Sequence, residues 1–239
     1  MPKSMTIANF AAHCEKDLDF YNKLTVQKQT DPNNDFYKSL PICIIDAVFS
    51  IGVRYGSVKK ATESFLSYFH LTIPRTCPVG KEYTVENFLR DMGTFSSFED
   101  AATNGFKNRQ RTSSRNGILK AEACYLVASV LKEHNINTLE DFQTYANRAK
   151  LDADICAVKG QHSGIMNRYL WMLAGNANEI KPDRHLCRYV QKYFPHLSAT
   201  PKDFPTIKTI LEDTARRLGA KYPSLTPRFL DYLIWDYMR

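Results

Sequence analysis

The stretch LDADICAVKGQHSGIMNRYLWMLAGNANEIKPDRHLCRYV, residues 151–190, decides how the chain is read. Two segments with helical apolar spacing flank a five-residue polar turn, Gly160-Gln161-His162-Ser163-Gly164. Glycine at both ends lets the backbone take positive φ and lets another backbone come close. Helix N-termini beside such a turn aim N–H groups outward, an arrangement that holds phosphate without reading sequence. A third helical segment opens after Pro182, with Asp183 at its door. The ordinary reading of Asp183 is a helix N-cap, and that of the glycines is punctuation between helices.

Working outward, the same 3.6-residue periodicity recurs along the chain. ICIIDAVFSIGVRY (42–55) reads as a buried helix that starts near Pro41, and SVKKATESFLSYF (57–69) as an amphipathic one from Ser57. TVENFLRDMG (84–93) has Thr84 as cap and Gly93 as stop. GILKAEACYLVASVLKEHN (117–135) puts Ile118, Ala121, Cys124, Val127, Ala128 and Leu131 on one face. TLEDFQTYANR (138–148) opens with a capping-box-like Thr138 and Asp141. FPTIKTILEDTARRLG (204–219) follows, and TPRFLDYLIWDYMR (226–239) closes the sequence with Thr226 as cap and Pro227 at the first helical position. No alternating run of strand length stands out, and there is no internal repeat. The predicted fold class is all-α, with roughly ten or more helices.

The formal net charge is +7 and the pI about 9.0, a balance that favours polyanions. The charge is concentrated where it matters. No acidic residue lies between Asp100 and Glu122, and GFKNRQRTSSRNGILKAE (105–122) carries Lys107, Arg109, Arg111, Arg115 and Lys120 among Gly, Asn, Ser and Thr spacers. Such a loop suits phosphate oxygens; the plain alternative is a solvated basic loop. The six cysteines, at 14, 43, 77, 124, 156 and 187, form no CxxC pair, so reduced, mostly buried thiols are expected and a metal or iron–sulfur centre is not. No apolar run reaches membrane-spanning length, and MPKSMTIANF lacks the features of a secretory signal, so a cytoplasmic protein is expected.

The ordered motifs resemble the helix-hairpin-helix DNA glycosylase superfamily, the endonuclease III-like group. Its signature is a glycine-bracketed hairpin, a helix, then Val-Asp-x-His-x-x-Arg-Val. Here Val158-Lys159-Gly160-Gln161-His162-Ser163-Gly164 is followed by a helix and by Pro182-Asp183-Arg184-His185-Leu186-Cys187-Arg188-Tyr189-Val190. FSIGVRYGSVKKAT (49–62) is similar to an upstream family stretch, and GILKAEACYLVASVLKE (117–133) to the family helix that opens on a Lys-Ala pair. The matches run in family order over roughly residues 40–190.

The resemblance implies two helical lobes, 40–178 with the hairpin and 1–39 plus 179–239, and a cleft between them for double-stranded DNA. It implies that Asp183 is catalytic, stabilising an oxocarbenium-like sugar and orienting water. Gly160, Gln161, His162, Ser163 and Gly164, with Arg109, Arg111 and Arg115, are the expected DNA-backbone contacts. Arg54, Tyr55, Arg168, Trp171 and His185 are candidates for the base pocket or for the wedge that fills the gap left by a flipped base, although Trp171 at helical spacing reads as core ahead of pocket. Two departures shape the expectation. The family's lyase lysine falls on Gly164 or Ile165, which points to monofunctional hydrolysis, and the family's wedge glutamine falls on Gly52. No cofactor is expected beyond a monovalent cation at the hairpin, no iron–sulfur cluster, no membrane partner, and a monomer. Two rival readings are a non-catalytic helix-hairpin-helix DNA-binding protein and a helical interaction scaffold.

Overall fold

The computed structural model describes residues 5–20, 37–72, 82–181 and 183–239; Pro182, Cys77 and the proline-containing segment 32–36 lie outside them. Among the described residues the protein is all-α, with twelve α-helices, short 3₁₀ and π segments and no strand. The chain divides into two compact units, Asn34–Gly175 and Met1–Asn33 with Asn176–Arg239. We call them the hairpin unit and the Asp183 unit.

The hairpin unit is organised around helix α2 (Leu40–Phe49), of which every residue is buried. LPICIIDAVF is apolar around almost its whole circumference, and such a helix is stable only with neighbours on all sides. Those neighbours are α3 (Tyr55–Tyr68), α4 (Val85–Met92), α6 (Lys120–Glu133) and α9 (Ile165–Leu173). Polar side chains satisfy both ends of α2. At its N-terminus the Glu82 carboxylate accepts Leu40 N–H at 3.0 Å and also Leu139 N–H at 3.0 Å, which ties α2 to the start of α7 (Leu139–Thr144). At its C-terminus the buried Lys120 ammonium donates to the Phe49 carbonyl at 2.9 Å and the Ile51 carbonyl at 2.8 Å. Four carbonyls at a helix end lack helical partners, and a cation there is favoured twice, as donor and as counter-charge to the helix dipole.

Local signals place the other helices of this unit. Thr84 and Asn87 form a reciprocal capping box on α4, and Thr138 and Asp141 form one on α7. The six apolar positions expected on 117–135 are all buried. Helix α5 (Phe98–Asp100) runs into a π-helical segment, Ala101–Gly105. Helix α8 (Arg148–Ala157) precedes the glycine-bracketed turn.

The Asp183 unit packs α1 (Ile7–Asp17) on α11 (Phe204–Leu218), and α12 (Pro227–Met238) on both α11 and α10 (Arg184–Tyr193). Its core includes Phe10, Leu186, Tyr189, Val190, Leu211, Leu230 and Ile234. Thr226 caps α12 by accepting Phe229 N–H at 3.1 Å, with Pro227 at the first turn as its sequence predicts. Two elements go beyond the sequence reading: α1, whose buried stripe is only Phe10, Ala11 and Cys14, and the segment 98–105. Helix α1 buries only three of its eleven residues, and 98–105 is split between two short helix types, so neither shows a sustained apolar repeat.

Candidate functional site

In the Asp183 unit, Asp183 is the N-cap of α10. One oxygen, Oδ1, accepts the N–H groups of His185 at 2.8 Å and Leu186 at 3.0 Å. The other oxygen, Oδ2, takes no hydrogen bond from a described residue, and the residue is half-buried. The capping requirement therefore uses half of the carboxylate and leaves half at a partly open edge. The turn that carries it is fixed from its own backbone, Asp183 N–H donating to the Lys181 carbonyl at 2.7 Å. His185, partly exposed, sits in the first turn of α10.

Beneath this turn lies a carboxyl group that the sequence reading did not single out. Asp231 on α12 is 4% exposed, and its Oδ2 accepts Lys181 N–H at 2.9 Å. Burial pushes it up to about 8; the Lys181 N–H pulls the other way, and the negative charge of Asp183 adds to the rise. Cys187, one turn into α10, feels both carboxyl groups: burial pushes its thiol up to about 12, with Asp183 and then Asp231 adding to the shift. A signal was present in the sequence. Asp231 stands three residues before Ile234, on the apolar stripe of α12, where a charged residue is out of pattern.

In the hairpin unit the turn between α8 and α9 has the predicted conformation, with φ of +89° at Gly160 and +68° at Gly164. Gln161 N–H donates to the Val158 carbonyl at 2.9 Å and Gly164 N–H to the Gln161 carbonyl at 3.0 Å. Gly164 caps α9 without a side chain, and His162 and Ser163 are exposed. Gln161 is a correction: it is 3% exposed, turned into the protein, so it offers no surface to a DNA backbone.

The basic loop is held against this hairpin. It folds back on itself through an antiparallel bridge between Arg111 and Leu119, with Thr112 N–H donating to the Ile118 carbonyl at 2.8 Å. At the fold, Thr112 packs so closely on Gly160 that a Cβ there would stand 2.3 Å from Thr112 Oγ1. On its other side Asn108 donates to Ser57 of α3 at 3.3 Å. Sequence segments near 57, 108–119 and 160 thus form one continuous region. Its charge is less bare than the acid-free window suggests. Glu99, just outside that window, accepts from Arg109 at 3.0 Å and pairs with Arg111 at 3.5 Å, while Arg111 also donates to the Gly117 carbonyl at 2.9 Å. Arg115 is exposed and makes no ion pair with a described residue.

The pocket candidates divide. Arg54 and Tyr55 are exposed at the start of α3, and Arg168 is half-exposed on α9. Trp171 is a correction: it is 5% exposed, stacked on Phe142 at 4.0 Å, covered by the Arg148 guanidinium at 4.3 Å, and its Nε1 donates to Asp152 at 2.8 Å. With both faces and its only donor engaged, it is core, not a platform for a base. A second polar group in this unit is a hydrogen-bonded chain in which His134 joins Tyr145 Oη at 2.6 Å to Asp154 Oδ2 at 2.8 Å, linking the C-terminal ends of α6 and α7 to the body of α8.

Among the described residues no group of three or more His, Cys, Asp and Glu side chains is placed to hold a metal ion, and no helix is long and apolar enough to cross a membrane. No curated protein and no solved structure matches the chain. A family model described as "Domain of unknown function (DUF8548)" matches residues 14–239. That match takes in α10 with its aspartate cap, the hairpin and the basic loop, and the chain belongs to the DUF8548 family.

Proposed function

We propose that the protein is a monofunctional DNA glycosylase that hydrolyses the N-glycosidic bond of a flipped, modified or damaged base. The observation that carries this reading is the divided carboxylate of Asp183. One oxygen is immobilised by two backbone N–H groups, and the other takes no hydrogen bond from a described residue. As the C1′–N bond lengthens, the base departs with the bonding electrons and positive charge grows on the deoxyribose. A rigid carboxylate beside that charge lowers the barrier without having to reorganise. Water then bonds to C1′ and gives up a proton, with Asp183 Oδ2 as its acceptor, leaving an abasic site and a free base.

Gly164 and Ile165 stand where the resembling family carries its lyase lysine, so water rather than an amine is the nucleophile. The phosphate grip is assigned to the positive-φ hairpin, through His162, Ser163 and backbone N–H groups, and to the adjoining loop through Arg115 and the shared Arg109 and Arg111. Partnership with double-stranded DNA belongs to this proposal, as does assignment to the helix-hairpin-helix glycosylase type.

The test is mass spectrometry of free bases released from duplex DNA that is alkylated, oxidised, deaminated or carries bulky viral-type modifications. Release by the wild type, with a loss of about a hundredfold or more in Asp183→Asn, supports the reading. Asparagine is as good an N-cap as aspartate, so the helix is retained in that variant. Duplex binding without release from any of these DNAs favours a DNA-binding module instead, and the absence of both favours an interaction scaffold.

A further inference from the structure

We infer that Asp231 is the positioning residue of the Asp183 turn, a buried carboxyl group that holds Lys181 from beneath and sets the charge beside the Asp183 carboxylate. The inference rests on the glycosylase reading for its functional meaning, but its physical content concerns only α10, α12, Lys181 and Asp183.

The geometry runs through two hydrogen bonds on one residue. Lys181 N–H is held by Asp231 Oδ2 at 2.9 Å, and the Lys181 carbonyl holds Asp183 N–H at 2.7 Å. Asp231 is thus one residue removed from the capping aspartate, although 48 positions away in the chain. An anchor alone does not need a carboxyl group. The Oδ1 of an asparagine accepts an N–H equally well, without the desolvation penalty of a buried charge. What the carboxyl group adds is a proton that can be lost. The ionisable and charged groups that bear on it are Asp183, Lys181, Arg228 and Cys187. With its proton in place, Asp231 adds no second negative charge beside Asp183 and the turn stays packed. Without the proton, the buried Asp231 charge repels that of Asp183 with little water to screen it, and the turn must open or admit water. Asp183 then loses its fixed position.

The closing experiment measures base release against pH for the full-length protein and for Asp231→Asn and Asp231→Ala, on whichever modified duplex the wild type processes. The expected wild-type rate falls above about pH 8, and that limb is missing in Asp231→Asn. Asp231→Ala loses about tenfold or more, and Asp231→Asn recovers most of that loss. An alkaline limb that persists in Asp231→Asn, or an alanine variant as active as the asparagine one, overturns the inference.

A second measurement keeps the two proposals separate. In protein labelled at the aspartate carboxyl carbons, the Asp183 NMR resonance should show a step at the midpoint of Asp231, and the step should vanish in Asp231→Asn. A wild type that releases no base but shows the step refutes the glycosylase reading and leaves the Asp231 assignment standing. An Asp183 resonance that ignores Asp231 refutes the assignment, whatever the activity.

Discussion

Gly160 of the hairpin and Thr112 of the basic loop are in direct contact, so close that the glycine has no room for even one carbon more. The contact makes two segments, 48 residues apart in the chain, a single surface region. Thr112 Oγ1 is also buried there without a hydrogen-bond partner among the described residues. Two costs are therefore expected for Gly160→Ala: about 1–2 kcal/mol for a side chain at φ +89°, and a clash with Thr112. Thr112→Ala should relieve the clash but not the backbone strain. A double-mutant cycle by urea denaturation checks this, and simple additivity of the two changes would exclude the contact as its source.

Glu99 is expected to act as a brake on polyanion binding. Glu99→Gln releases Arg109 and Arg111, so duplex DNA should bind more tightly and with a salt dependence steeper by about one unit of slope. Arg115→Ala should do the reverse, weakening binding several-fold and flattening the slope by about one unit. Titrations by fluorescence anisotropy at several salt concentrations read both. Binding that ignores Glu99 and Arg115 alike removes the loop from the interface.

Replacing Lys120 by methionine keeps the bulk of the stem but leaves the Phe49 and Ile51 carbonyls without their donor at the buried end of α2. The expected loss is about 2–4 kcal/mol, the range for orphaned buried acceptors plus a lost charge-assisted bond. A shift of the urea midpoint with an unchanged slope would show a pure stability effect.

Asp231 also makes a prediction about stability. Its folded-state value, about 8, lies above its ordinary 3.8, so the folded protein holds this proton more tightly than the unfolded chain. The stability it contributes is complete below 3.8 and is lost as pH rises towards 8. Each pH unit in that window is worth about 1.4 kcal/mol. Asp231→Asn does not titrate, so its advantage over the wild type should grow by roughly 4 kcal/mol from pH 5 to pH 8. Thermal melts at half-unit intervals of pH test the sign as well as the size. A constant difference between the two proteins would mean that Asp231 does not change ionisation on folding.

Helices with their own start and stop signals could be read directly. The capping boxes at Thr84 and Thr138, the Thr226-Pro227 start and the Asp183 cap each depend on residues within one turn. The same is true of the positive φ at Gly160 and Gly164, a property of glycine in a tight turn. Gln161 was misread because a polar residue in a turn ordinarily faces water; here the turn folds it inward. Helical spacing already favours core for Trp171, and Phe142, Arg148 and Asp152 packed around it fill that role in.

Residue order alone determined that this chain is helical, where most of its helices begin, and that a carboxylate would cap α10. Those properties follow from neighbours three or four positions apart, which the chain brings together as soon as it coils. Tertiary packing decided which charges face one another. Lys120 meets the end of α2 across 71 positions and Asp231 meets Lys181 across 50, and neither pair shares any periodicity. Such encounters depend on how helices stack, and stacking is set by the whole buried surface rather than by any one stretch of it.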